Sequence, residues 1–181
     1  PAISTLVHIT AQGEILKYEI VPSLIRVERQ LTFQDADLMV TADPMMQALY
    51  NIAQNYRQYR LDSGALIIDL PEINIWLQPD GTPGISMANR ESPGRMLVSE
   101  FMILANELAA RLLTERNMPA IYRCQAEPRE RLFDRDGGTL FQNWMQRKQI
   151  NRFILSSLPE RHAGLGLPGY LTATFPIRKY S

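Results

Sequence analysis

"GRMLVSEFMILANELAARLLTERN", residues 94–117, is the stretch on which the reading of this chain turns. Leu97, Phe101, Leu104, Leu108 and Leu112 recur at helical spacing, which predicts a helix over roughly Gly94–Arg116. Met102, Ile103 and Ala105 spread apolar character to its other faces, so the middle of this helix should be packed on several sides. Everything else arranges itself around it. Upstream, Thr32 is placed to cap a helix with Asp35 near its positive end. Leu49, Ile52, Ala53 and Tyr56 then form a second buried stripe. Before these, apolar runs at Leu6–Ile9 and Ile15–Val21 flank a Gln12-Gly13 turn, which is a hairpin pattern.

Between the two helical regions, "GALIIDLPEINIWL" (64–77) is β-rich and broken by Pro71. "PDGTPG" (79–84) is a turn, and a short strand around Ile85–Met87 should follow. Downstream, "MPAIYRC" (118–124) reads as a strand, "GGTLFQNWMQRKQINRF" (137–153) as a shorter helix, and the glycine-rich tail as loop and strand. Hairpins mixed with helices predict an α+β fold, a mixed β-sheet with packed helices, rather than a doubly wound parallel sheet. The chain shows no repeat and no linker, and its 181 residues suit one domain.

Composition narrows the function classes. No apolar run approaches the roughly 18 residues needed to span a bilayer, so no membrane is expected. The opening PAISTLVHIT has neither the basic nor the apolar region of a signal peptide. No Met opens the chain, which fits a piece of something longer. Cys124 is the single cysteine, so disulfides and cysteine-based zinc sites are excluded and a cytoplasmic location is expected. The net charge of zero hides an asymmetry. Residues 1–122 carry nine basic and fourteen acidic groups, and residues 123–181 ten and five. Sixteen of the nineteen cations are Arg, which grips phosphate bidentately and stacks on flat rings. The basic C-terminal third points to a polyanion such as nucleic acid.

The tail, "HAGLGLPGYLTATFPIRKYS" (162–181), concentrates the chemistry. Its glycines lack the Lys-Ser/Thr ending of a nucleotide-binding loop and read instead as sites of close backbone approach. Thr174, Arg178 and Lys179 with Tyr170 and Tyr180 suit phosphate gripping and base stacking. The same residues also fit a buried strand with a salt-bridged end. Neither His8 nor His162 has a nucleophile partner, and the pairs Asp35/Asp37, Asp69/Glu72 and Asp134/Asp136 are too sparse for two-metal chemistry.

This tail resembles the signature of the ribonuclease II (RNB) catalytic domain, roughly His-x-Gly-Leu-Gly-Leu-x-x-Tyr-x-x-x-Thr-Ser-Pro-Ile-Arg-Arg/Lys-Tyr-x-Asp. Four further stretches are similar to blocks of that family in the same order: "LIRVERQLTFQDAD", "GALIIDLPE", "LVSEFMILANELAARLL" and "AIYRCQAEP". The resemblance runs over residues 24–181 and implies the C-terminal portion of the catalytic domain. It implies a magnesium-dependent exoribonuclease that shortens single-stranded RNA from the 3′ end to nucleoside monophosphates. The metal-holding aspartates of that family belong to an earlier stretch, so Mg2+ is expected on residues outside this chain, and the remainder of the polypeptide is an expected partner.

By that resemblance, Arg178 matches the arginine that contacts the scissile phosphate and is the expected catalytic residue. The expected RNA-binding residues are Phe33, Ser99, Glu100, Arg123, His162, Tyr170, Thr174 and Lys179. Several positions depart from the pattern. Phe33 stands for the usual Tyr, Ser99 for the first Glu of a Glu-Glu pair, Gln125 for the usual His and Phe175 for the usual Ser. Ile68 occupies a position where some members place a stacking Phe. These changes leave a second expectation open, a diverged RNA-binding member that no longer cuts.

Overall fold

The computed structural model describes residues 1–135 and 137–172. Thr174, Arg178 and Lys179, with Phe175, lie outside the described residues. The chain opens with an antiparallel hairpin of β1 (Ala2–Ile9) and β2 (Ile15–Ser23), then α1 (Phe33–Ala42) and α2 (Pro44–Asp62). A second hairpin, β3 (Glu72–Leu77) and β4 (Pro83–Ala88), leads into α3 (Pro93–Glu115). The last third contains β5 (Tyr122–Cys124), α4 (Leu140–Gln149), β6 (Ile154–Ser156) and a 3-10 turn at Ala163–Leu165. The α+β class stands, with the described strands divided among three two-stranded antiparallel sheets.

Local chemistry explains these boundaries. The Thr32 hydroxyl accepts from the Asp35 N–H at 3.1 Å and the Asp35 carboxylate accepts from the Thr32 N–H at 2.9 Å, a reciprocal cap that starts α1. Asp43 ends α1 and caps α2 by accepting from the N–H groups of Met45 and Met46. α3 begins differently. Ser92 provides no side-chain cap, and Asp37 of α1 accepts from the Gly94 N–H at 2.6 Å. A side chain at Gly94 would meet the Ala36 Cβ at 2.8 Å, so glycine lets α1 and α3 meet at this point.

The three helices pack on one another, and Tyr56, Leu104 and Leu108 form the core under the first hairpin, against Val7, Ile9, Ile15 and Tyr18. The central placement expected for α3 therefore holds. The β-rich reading of 64–77 holds only from Glu72 onward. Residues 65–70 run without a strand partner because other groups take their N–H bonds. Gly164 O accepts from Leu66, Arg135 O from Ile67, and the Asn143 side chain from Asp69. No described helix is long and apolar enough to cross a membrane.

Candidate functional site

Phe33 is the first residue of α1 and 40% exposed. The Arg95 guanidinium lies 4.5 Å from its ring centroid. Arg95, Ser99 and Asn106 fall on one stripe of α3, at steps of four and seven residues. Ser99, one turn after Arg95 on that stripe, is exposed. Asn106, about 10 Å further along the helix axis, donates its Nδ2 to the Tyr170 hydroxyl at 3.3 Å. One face of α3 therefore connects the Phe33 edge to the start of the C-terminal tail.

Glu100 points elsewhere, because one residue turns a helix by about 100°. It is buried against Arg60, whose Nε and Nη2 donate to its two oxygens at 2.9 and 2.5 Å. Glu100, expected among the RNA-binding residues, has its carboxylate in this buried ion pair. Arg60 also donates to the Leu165 carbonyl at 3.1 Å, which ties the pair to the glycine loop. Beside it, the buried Tyr56 hydroxyl donates to Glu107 at 2.7 Å. Burial first, then the Glu107 charge, raises the Tyr56 pKa far above its usual range.

Gly166 turns the loop with a positive φ of 69°, and a side chain there would lie 2.5 Å from the Arg60 carbonyl. Gln125, standing where the family pattern has His, holds the loop from the other side. Its Oε1 accepts from the Gly164 N–H at 3.1 Å and its Nε2 donates to the Asn151 carbonyl at 2.7 Å.

The second cluster joins Arg123, His162 and Tyr170. Arg123 on β5 lies 3.7 Å above the Phe153 ring, and its buried Nε has no hydrogen-bond partner among the described residues. His162 is 7% exposed and meets Tyr170 edge-on at 5.8 Å; its Nδ1 is also buried without a partner among the described residues. Burial, and then the Arg123 charge, push the His162 pKa down to about 4, so the ring is neutral at pH 7. Burial likewise raises the Tyr170 pKa. Two unsatisfied buried atoms in one cluster are uncommon, and such orphans mark places where a ligand or a further chain segment completes the bonding.

Of the expected residues, the structure brings Phe33 and Ser99 to one edge and Arg123, His162 and Tyr170 to one cluster. Sequence reasoning missed Arg60, Arg95, Asn106 and Phe153. A signal for Arg60 was available, since it follows Tyr56 by four residues on the buried stripe of α2. Among the described residues no three His, Cys, Asp or Glu side chains gather as a metal site. Asp35 and Asp43 cap helices, Asp37 binds Gly94, and Glu100 and Glu107 are buried in pairs. The described residues do not fit magnesium.

The family model for the RNB domain matches residues 1–181. The chain belongs to the RNB domain family. An uncharacterized ribonuclease of Synechocystis is 32% identical over 188 residues, covering 99% of this chain and 28% of that relative. Mycoplasma genitalium RNase R, solved in complex with ribose-methylated single-stranded RNA, superposes with a TM-score of 0.77 at 16% identity. That match covers 98% of this chain and 34% of the RNase R chain. Yeast Ssd1, described as a pseudonuclease, gives a TM-score of 0.65 at 14% identity, over 98% of this chain and 27% of its own. This RNB chain thus spans about a third or less of each of these three proteins, and its fold occurs both in RNase R and in a pseudonuclease.

Proposed function

We propose that this RNB chain is the C-terminal portion of the catalytic domain of a cytoplasmic 3′-to-5′ exoribonuclease. The complete protein hydrolyses single-stranded RNA to nucleoside monophosphates. The observation that carries this reading is the RNB signature running out of the Arg123–His162–Tyr170 cluster. Two buried polar atoms there lack partners among the described residues, and the signature ends in Arg178 and Lys179. In this reading Phe33 stacks on a base near the scissile end, with Ser99 beside the sugar. His162 and Tyr170 shape the path, and Arg123, Thr174 and Lys179 hold phosphates. Arg178 neutralises charge that builds on the scissile phosphate. Magnesium would be held by side chains outside this chain.

The test uses the full-length protein with magnesium and a 5′-labelled single-stranded RNA. Stepwise shortening from the 3′ end with mononucleotide release is expected. Arg178→Ala should lower kcat by roughly 10²–10³ with a smaller change in RNA affinity. Endonucleolytic products, or an Arg178→Ala variant with normal kcat, would contradict the reading. A second reading is favoured by the fold shared with a pseudonuclease and by the substitutions Phe33, Ser99, Gln125 and Phe175. It is an RNA-binding member that does not cut, and tight RNA binding without any product would support it.

A further inference from the structure

Helix α4 is built inside out. Its inner face buries two amides, Asn143 and Gln146. Asn143 accepts from the Asp69 N–H at 2.9 Å; Gln146 accepts from the Leu132 N–H at 2.7 Å and donates to the Glu130 carbonyl at 2.8 Å. Its outer face carries Leu140, Phe141 and Trp144, which are 62%, 67% and 46% exposed. A surface helix ordinarily hides its rings and shows its amides. Large apolar side chains grouped outward mark a contact surface.

The charge around these rings narrows what makes the contact. Residues 137–159 contain Arg147, Lys148 and Arg152 and no Asp or Glu. None of the ion pairs among the described residues uses these three cations. Lys148 Nζ sits 3.4 Å from the Trp144 ring centroid, and the Phe141 and Trp144 centroids are 6.0 Å apart. An acidic peptide would match the cations and leave the rings wet. An apolar segment would cover the rings and desolvate cations without neutralising them, which is costly. A single strand of nucleic acid offers flat bases and phosphates together.

We propose that the outer face of α4 is a stacking platform for single-stranded RNA. Phe141 and Trp144 meet bases there, and Arg147 and Lys148 meet phosphates. The proposal rests on the reading of RNA as substrate and adds to it a binding face outside the family signature. It is tested on the full-length protein by equilibrium binding of a fluorescent single-stranded RNA 20-mer across a salt series. Phe141→Ala with Trp144→Ala should weaken binding roughly thirtyfold or more, the scale for losing two stacked bases. Arg147→Gln with Lys148→Gln should flatten the slope of log affinity against log salt by about 1.4. Thermal midpoints of both variants should match the parent, since the replaced side chains are exposed. RNA affinity within twofold of the parent in both variants would overturn the proposal while leaving RNA as the ligand. No RNA binding by the parent would overturn the functional reading and this proposal with it. Unchanged RNA affinity with a lowered midpoint or an altered oligomeric state would assign the face to polypeptide and overturn the proposal.

Discussion

Arg60 and Arg123 are the same residue type in two regions of one chain, and their surroundings differ in kind. Arg60, on α2, is buried and grips Glu100 with two nitrogens while a third reaches the Leu165 carbonyl. Around it Tyr56 and Glu107 are also paired. Arg123, on β5, is stacked on the half-exposed Phe153 ring, beside a neutral His162, and among the described residues neither the Arg123 Nε nor the His162 Nδ1 has a partner. A buried charge whose hydrogen bonds are complete serves the fold. Polar atoms left incomplete at the edge of a basic segment are free to serve a ligand. The contrast separates residues that hold the RNB fold from those that the proposed function assigns to RNA.

The contrast can be broken most severely at the ion pair. Glu100→Ala leaves the Arg60 charge buried without its partner and should cost about 3–5 kcal/mol of stability. Urea unfolding measures it, and a loss under about 1 kcal/mol would place the pair among groups the fold does not need. The next effect comes from His162. Its folded-state pKa, near 4, lies below its ordinary 6.5. The unfolded chain therefore binds a proton first as pH falls. Stability should decline from about pH 6.5 downward and level off near pH 4, by up to roughly 3 kcal/mol. His162→Phe should flatten that part of the profile; an identical slope in the variant would assign it to other groups.

The smallest effect sharpens the RNA side of the comparison. A bare ring at Phe33 and a short hydroxyl at Ser99 stand where the family pattern carries a Tyr hydroxyl and an acid, groups suited to reading the 2′-OH. Discrimination against 2′-deoxy residues at the 3′ end should therefore be relaxed. Phe33→Tyr with Ser99→Glu should raise the RNA-to-DNA ratio of kcat/KM about tenfold, the scale of one net hydrogen bond. A parent protein already as strict as the double variant would show that other residues read the sugar.

Much of this was legible in the chain. The Thr32–Asp35 cap, the stripes of α2 and α3 and the first hairpin follow local rules of spacing and capping, so local reading found them. Residues 65–70 look like a strand, and they lack one because loops far along the chain take their N–H bonds. Ser99 and Glu100 are adjacent in sequence, and a motif treats them alike, whereas the helix sends one to solvent and the other to Arg60. The inverted faces of α4 escaped for a related reason. Its buried amides are satisfied by Asp69, Leu132 and Glu130, partners that spacing within α4 cannot reveal.

The central claim is most directly tested on the two arginines side by side. Arg60→Met and Arg123→Met, each in the full-length protein, are compared for thermal midpoint and for single-stranded RNA affinity. Arg60→Met should lower the midpoint sharply, because Glu100 is left buried and unpaired. Arg123→Met should keep the midpoint close to the parent and weaken RNA binding, with a shallower dependence on salt. The reverse pattern, a stable Arg60→Met protein with lost RNA affinity beside an unstable Arg123→Met protein that binds normally, would contradict the account.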